Sequence, residues 1–414
     1  MKLLTVDTID GAREKLWQKL KSYSPESEMV TLGEAQNRIL AEDVFSSCDI
    51  PGFKRSLVDG YALLSSDTAA AGETVPVFLK KAPSVSIGKA ADFSIRSGEA
   101  AYVPTGGMLP SGADAVVMIE FCESAGGSIA VYEPAAPGTG MVEAGEDLRK
   151  GEAFLRKGAR IRSQEAGLLA AAGITELPVF IPLKLSVIST GNELVPPERT
   201  PGPGEIRDIN THVIKALASK RGYSVVSSEL LPDDEERLQA AMRKAMGSSD
   251  AVVISGGSSQ GEKDLTADII NRAAMPGVFT HGLALKPGKP TILGWDEESR
   301  TLLAGLPGHP AAAMVVFELL LGWLHDRVFN LRPPFPIPAR LSSNLPGAPG
   351  RTVCQPVILT FNNAANEASC GYSAEPVFGK SALITTLTRA DGYIIIDMNK
   401  EGLKKDEPVL VHLF

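Results

Sequence analysis

The residues best suited to chemistry gather between Asp250 and Asp264, in the stretch DAVVISGGSSQGEKD. Its apolar, β-branched run Ala251 to Ile254 ends abruptly at Gly256 and Gly257, followed by Ser258, Ser259 and Gly261 and then by Glu262, Lys263 and Asp264. A buried strand that empties into a glycine turn and then a helix is where open α/β sheets bind ligands. The glycines let backbone N–H groups come close to an anion, and the following helix adds its positive end. Two related patterns are absent. A phosphate-binding P-loop needs Lys directly after its last Gly, where this chain has Glu262, and the dinucleotide pattern G-x-G-x-x-G fails on the spacing Gly256-Gly257-x-x-x-Gly261. The expectation is an anion held by neither device.

Further basic and acidic groups lie nearby in the chain. Lys286 and Lys289 flank Pro287-Gly288, and a rigid turn that holds two ammonium groups together suits phosphate or another multivalent oxyanion, the plainer alternative being two solvated lysines. Asp233 with Glu236 reads as a helix cap and capping box. Asp264 serves equally as the cap of the next helix or as a ligand for a divalent cation, because carboxylates together with phosphates are the usual surroundings of Mg²⁺. His309 has no His or Cys neighbour in sequence and reads as a loop histidine, and no Ser-His-Asp or Cys-His arrangement is legible.

Elements that position these groups follow from hydrophobic period and punctuation. Residues 7–22 read as an amphipathic helix with Asp7 as N-cap, and a second helix is expected near Leu32 to Leu40. From Cys48 to Pro134 short β-rich segments alternate with Gly and Pro turns, so residues 47–137 form a β-rich domain in which Asp59, Thr105 and Gly106 lie in turns. Residues 1–46 and 138–180 form a helical, linking domain; within it SQEAGLLAAAGI is a helix with Ser163 as N-cap and Gly173 as its stop, and Asp147 lies in the preceding loop. Residues 181–330 alternate strands and helices, which predicts a doubly wound α/β domain with a largely parallel sheet. Four of its loops are expected at carboxyl ends of strands: Thr190, Gly191 and on to Glu193; Gly256 to Asp264; Pro287 to Pro290; and Pro307, Gly308, His309 and Pro310. The proline-rich LRPPFPIPA reads as a stiff linker, and residues 331–414, including ALITTL as a strand, as a closed C-terminal β-barrel.

Composition bounds the function. The chain has 414 residues with a net charge of −8, 44% hydrophobic and 22% charged residues, an ordinary balance for a soluble multidomain protein. A net acidic chain argues against nucleic-acid or membrane-surface binding. Cys48, Cys122, Cys354 and Cys370 are scattered, which favours reduced thiols in a cytoplasmic protein over metal ligation.

Taken together, SLVDGYA (Ser56 to Ala62), PTGGMLPSGADAVVMIE (Pro104 to Glu120), GEDL (Gly145 to Leu148), STGNEL (Ser189 to Leu194), DIN (Asp208 to Asn210), SGGSSQGEKD, LKPGKP and GLPGHP resemble, in the same order, the molybdopterin molybdenumtransferases, or molybdate insertases. The resemblance covers nearly the whole chain. It implies molybdenum cofactor biosynthesis: a homodimer, its cleft between subunits, binds adenylylated molybdopterin, inserts molybdate with Mg²⁺ and releases AMP. It implies an upstream molybdopterin adenylyltransferase and downstream molybdoenzyme chaperones as partners. It implies catalytic roles for Asp59, Asp147, Asp264, Lys286 and Lys289, cleft roles for Thr105, Glu193 and Asp208, and metal roles for Glu193, Asp233 and Asp264. The chain departs from the family pattern at Lys54-Arg55, at Val142, Glu143 and Ala144, at Asn192 and at His309, changes that admit a second reading as a pterin-binding scaffold or a tungstate-handling paralogue.

Overall fold

The computed structural model describes residues 6–21, 23–256, 265–362, 371–379 and 384–414. It divides into two compact units, Met29–Val179 and Met1–Glu28 with Phe180–Phe414.

The first unit is built on a six-stranded sheet whose strands run, in spatial order, Ala115–Met118, Gly60–Leu63, Glu99–Val103, Val77–Lys81, Ser128–Val131 and Cys122–Ala125. The predicted β segments are all present. Alternate residues of Gly60–Leu63 feed two apolar clusters, Ala62 packing with Val103 and Val116, and Tyr61 and Leu63 with Val117 and Ile129. The helix expected near Leu32 to Leu40 does not form; that stretch is a series of turns. Its apolar residues Ala35 and Leu40 are buried against Leu155, Ile161, Leu169 and Val179, so their spacing reflects burial without a helical repeat. The helix Ser163–Ala171 is present, but Arg162 occupies the N-cap and Ser163 is its first helical residue.

In the second unit the N-terminal helix spans Ile9–Lys19, shorter than expected, and is capped by Thr8, whose hydroxyl accepts the Gly11 N–H at 3.0 Å. Asp7 is drawn away from the cap by Lys15 at 2.7 Å and by the Thr280 hydroxyl at 2.8 Å.

The α/β domain follows: β1 Lys184–Thr190, α1 Asn210–Arg221, β2 Ser224–Leu231, α2 Glu235–Met246, β3 Ala251–Ser255, α3 Leu265–Ala273, β4 Pro276–His281, β5 Ile292–Asp296, β6 Thr301–Leu306 and α4 Pro310–Phe317. The sheet order is β2-β1-β3-β6-β5-β4, with β2, β1, β3 and β6 parallel. Strands β5 and β4 run antiparallel to their neighbours β6 and β5. The Pro287–Pro290 loop therefore precedes a strand of this sheet and does not follow one; it reaches the carboxyl edge of the parallel strands because Ile292 pairs with Gly305. Near-continuous burial of β1, β3 and β6 is what helices on both faces require. One face packs Leu238 and Met242 of α2 and Ile269 and Ile270 of α3 against Val252, Ile254 and Leu303. Gly222 ends α1 in the left-handed region at φ 96°, as its position in the sequence predicts.

The C-terminal barrel closes: strands Ile337–Leu341, Gly371–Pro376, Thr352–Asn362, Gly392–Ile396 and Pro408–Leu413 form an unbroken ring of pairings around Leu341, Val357, Ala374, Ile394 and Val411. The strand expected at ALITTL is not seen among its described residues, which lie in a short helix, Ile384–Thr388.

Helix α4 runs on through a π-helical turn, Glu318–Gly322. There the Glu318 side chain, 4% exposed, is bound by the Arg221 guanidinium, which also reaches Asp326 at 3.3 Å. Removing one partner of a buried ion pair leaves an uncompensated charge. Arg221→Met is expected to lower the unfolding free energy by about 3 kcal/mol, read from urea denaturation, and Arg221→Met with Glu318→Leu to recover most of that loss. A double variant no more stable than Arg221→Met would count against this account.

Candidate functional site

At the switch point of the sheet, where the chain turns from β1 to β2 on one side and to β3 on the other, the ends of β1 and β3 lie side by side. Gly256 follows β3 with φ 107°, and a methyl group there would collide with the Thr190 carbonyl. Only glycine suits both demands. Around this contact is a cavity of about 80 Å³ lined by Thr190, Glu193, Asp208, Asn210, Gly308 and Pro310 among others.

Thr190, buried, donates its hydroxyl to Asp233 Oδ1 at 2.7 Å. Asp233 is free to accept it because the α2 cap is the next residue, Asp234, whose carboxylate accepts the Arg237 N–H at 2.8 Å. The cap expected at Asp233 is thus at Asp234, and the capping box with Glu236 does not form, the N3 residue being Arg237. The Asn192 side chain accepts the Asp233 N–H at 3.1 Å, so the departure at Asn192 tethers a predicted metal residue through its backbone. The Glu193 carboxylate folds over Gly191, where a Cβ would stand 2.7 Å from Oε2. Asp208, 6% exposed, accepts the Thr211 N–H at 3.1 Å and so covers the N-terminus of α1. Glu193 and Asp233 offer the hard oxygen donors that Mg²⁺ takes. Among the described residues no three His, Cys, Asp or Glu side chains are grouped to hold a metal. Gly257, Ser258, Ser259, Gly261 and Asp264 lie outside the described residues.

A second cavity, of about 590 Å³, opens between the α/β domain and the barrel and is lined by Lys286, Lys289, Pro307, His309, Arg351 and Cys354, with others. Lys286 and Leu285 form a short strand parallel to the barrel strand, Leu285 opposite Thr352 and Lys286 opposite Val353. That register brings Arg351, which the sequence did not single out, to the lysine turn. Burial pushes the Cys354 thiol up to about 12, so it stays protonated at neutral pH and is no nucleophile. The loop Pro307–Pro310 walls both cavities: Pro307 and His309 line the cationic one, Gly308 and Pro310 the smaller one.

In the other unit Asp59 Oδ1 accepts the Thr105 N–H at 2.7 Å and its hydroxyl at 3.1 Å. Gly106 donates to the Ser56 carbonyl at 2.8 Å, which ties the two predicted turns into one structure. Exposed Asp147 follows on the loop that pairs back to Ile50. Val142 stands opposite Arg55, and Glu143 binds Lys54 at 2.9 Å, so two of the departures neutralise one another. No helix among the described residues is long and apolar enough to cross a membrane.

Comparison with known proteins gives a consistent picture. Residues 8–173 match the MoeA N-terminal region (domain I and II), residues 186–326 a probable molybdopterin binding domain, and residues 338–414 the MoeA C-terminal region (domain IV). The chain is 31% identical to the molybdopterin molybdenumtransferase of Haemophilus influenzae, the alignment covering 98% of each chain. It is 32% identical over 297 residues to molybdopterin molybdenumtransferase 2 of Mycobacterium tuberculosis, covering 70% of this chain and 73% of that relative. The crystal structure of a molybdopterin biosynthesis moeA protein from Pyrococcus horikoshii OT3 matches with a TM-score of 0.83 at 30% identity, covering 99% of this chain and 100% of that one.

The division of labour between adjacent acids is testable. Asp234→Ala should cost about 1 kcal/mol of stability and leave turnover in place. Asp233→Ala should reduce turnover with little change in melting temperature. Equal stability losses for the two variants would return Asp233 to a capping role.

Proposed function

The chain belongs to the MoeA family of molybdopterin molybdenumtransferases, and from that premise we propose how its two cavities divide one substrate pair between them. It is a transferase of molybdenum cofactor biosynthesis that inserts molybdenum into molybdopterin. In the proposed reading adenylylated molybdopterin occupies the crevice at Thr190, Gly191, Glu193, Asp208 and Gly256 and along the glycine loop to Asp264, and molybdate occupies the cationic cavity. The observation that carries this is the shared wall: the loop Pro307–Pro310 lines the cationic cavity through Pro307 and His309 and the acceptor-rich one through Gly308 and Pro310.

Lys286, Lys289 and Arg351 bind the oxyanion and neutralise its charge. Ligand exchange at a metal oxyanion needs its reactants held and their charge balanced, and no protein nucleophile. Asp59, Thr105, Gly106 and Asp147 belong to the same proposal as the contribution of the β-rich unit. Mg²⁺, held by Glu193, Asp233 and Asp264, would neutralise phosphate charge on the adenylylated substrate. A homodimer, a cytoplasmic location, a molybdopterin adenylyltransferase upstream and molybdoenzyme chaperones downstream complete the reading.

Purified protein given adenylylated molybdopterin, Mg²⁺ and molybdate should release AMP and yield metal-loaded pterin. Lys289→Ala and Arg351→Ala should each raise the molybdate concentration for half-maximal rate about tenfold, the loss of one charge-assisted contact, with the melting temperature kept. Pterin binding without AMP release would sink the enzymatic reading. An unchanged molybdate dependence in both variants would sink the assignment of the cationic cavity.

A further inference from the structure

Asn210, the first residue of α1, carries an acceptor that the fold does not use. Its Nδ2 donates to the Ser255 hydroxyl at 2.7 Å and to the Gly308 carbonyl at 2.8 Å. Because the Gly308 carbonyl only accepts, these bonds settle which end of the carboxamide is nitrogen. Oδ1 is then buried with no hydrogen-bond partner among the described residues, in a residue only 8% exposed. Buried amide oxygens are nearly always paired, and leaving one unpaired is costly. The residue lines the 80 Å³ cavity at the switch point.

The lining of that cavity narrows the ligand. The same cavity is lined by the carboxylate-bearing Glu193 and Asp208. One neighbouring donor is already spent, the Thr190 hydroxyl on Asp233. An amide oxygen can only accept, so whatever pairs with it must bring an N–H or O–H donor. The bridge from Ser255 to Gly308 uses only the nitrogen of Asn210, so bracing the two loops does not account for the idle oxygen.

We propose that Asn210 determines specificity in this cavity: its Oδ1 accepts an exocyclic N–H from an aminopyrimidine-type heterocycle. The inference rests on the reading above that the cavity belongs to the seat of adenylylated molybdopterin. Both the pterin and the adenine of that substrate present such an N–H, and the shared chemistry is what the cavity recognises.

The test titrates the full chain, by calorimetry, with two matched pairs: pterin against its 2-desamino counterpart, and AMP against purine riboside 5′-monophosphate, which lacks the 6-amino group. In one pair the amino form should bind about tenfold more tightly, the cost of leaving the acceptor unpaired; which pair discriminates identifies the heterocycle. Asn210→Ala should lose the discrimination. Asn210→Asp, which keeps an acceptor and gives up the bridge to Gly308, should retain it. Overturning results are wild-type protein that binds without discriminating in either pair, or Asn210→Ala that still discriminates. A uniform weakening of all four ligands in both variants would reduce Asn210 to a brace and also overturn it. If wild-type protein binds no member of either pair, the substrate-seat reading fails first and the proposal falls with it.

Discussion

The approach of Gly256 to the Thr190 carbonyl is the constraint on which the crevice depends. Strands β1 and β3 are parallel neighbours in register from Leu185 opposite Ala251 to Ser189 opposite Ser255, so their ends must arrive together. No side chain fits between them. With that contact closed, Thr190 points its hydroxyl at Asp233, and Asn210 spans from Ser255 to Gly308, tying the end of β3 to the loop after β6. Three strand ends are thereby fixed relative to one another before any ligand arrives, which is the preorganisation a positioning catalyst needs.

Opposite polarities are kept apart within a short span. Acceptors gather around Glu193, Asp208 and Asn210, and cations around Lys286, Lys289 and Arg351. Left in contact, such groups would pair and cancel. The proline-bounded loop Pro307–Pro310 separates them as a shared wall, and Pro310 also starts α4, whose buried apolar face anchors the loop to the sheet.

Several residues that depart from the family pattern are engaged by the chain's own groups. Glu143 meets Lys54, and Asn192 holds the backbone of Asp233. Exposed pairs such as Lys54–Glu143 contribute little to stability, so their effect is on local charge: one cation and one anion are withdrawn together from the loops around Asp59 and Thr105.

By itself the sequence determined the architecture and the place of most loops at the strand ends. Unbroken apolar runs at Leu185–Ile188 and Ala251–Ile254 mean burial on both faces, and glycine stops such as Gly222 mark helix ends, because both signals arise from neighbours in the chain. Local signals failed where a distant partner decided the outcome. The spacing around Ala35 and Leu40 imitated a helix because the turns there are buried under residues 155–179. Asp233 and Asp234 are equivalent as caps in sequence, and the Thr190 hydroxyl, brought up by β1, takes one and leaves the other to α2. Arg351 joins the lysine turn only through the pairing of Lys286 with Val353, and the idle oxygen of Asn210 exists only once Ser255 and Gly308 have claimed its nitrogen. Propensity and period are short-range quantities, whereas register, donor allocation and shared cavity walls are set by contacts between residues far apart in the chain, and only tertiary structure could decide them.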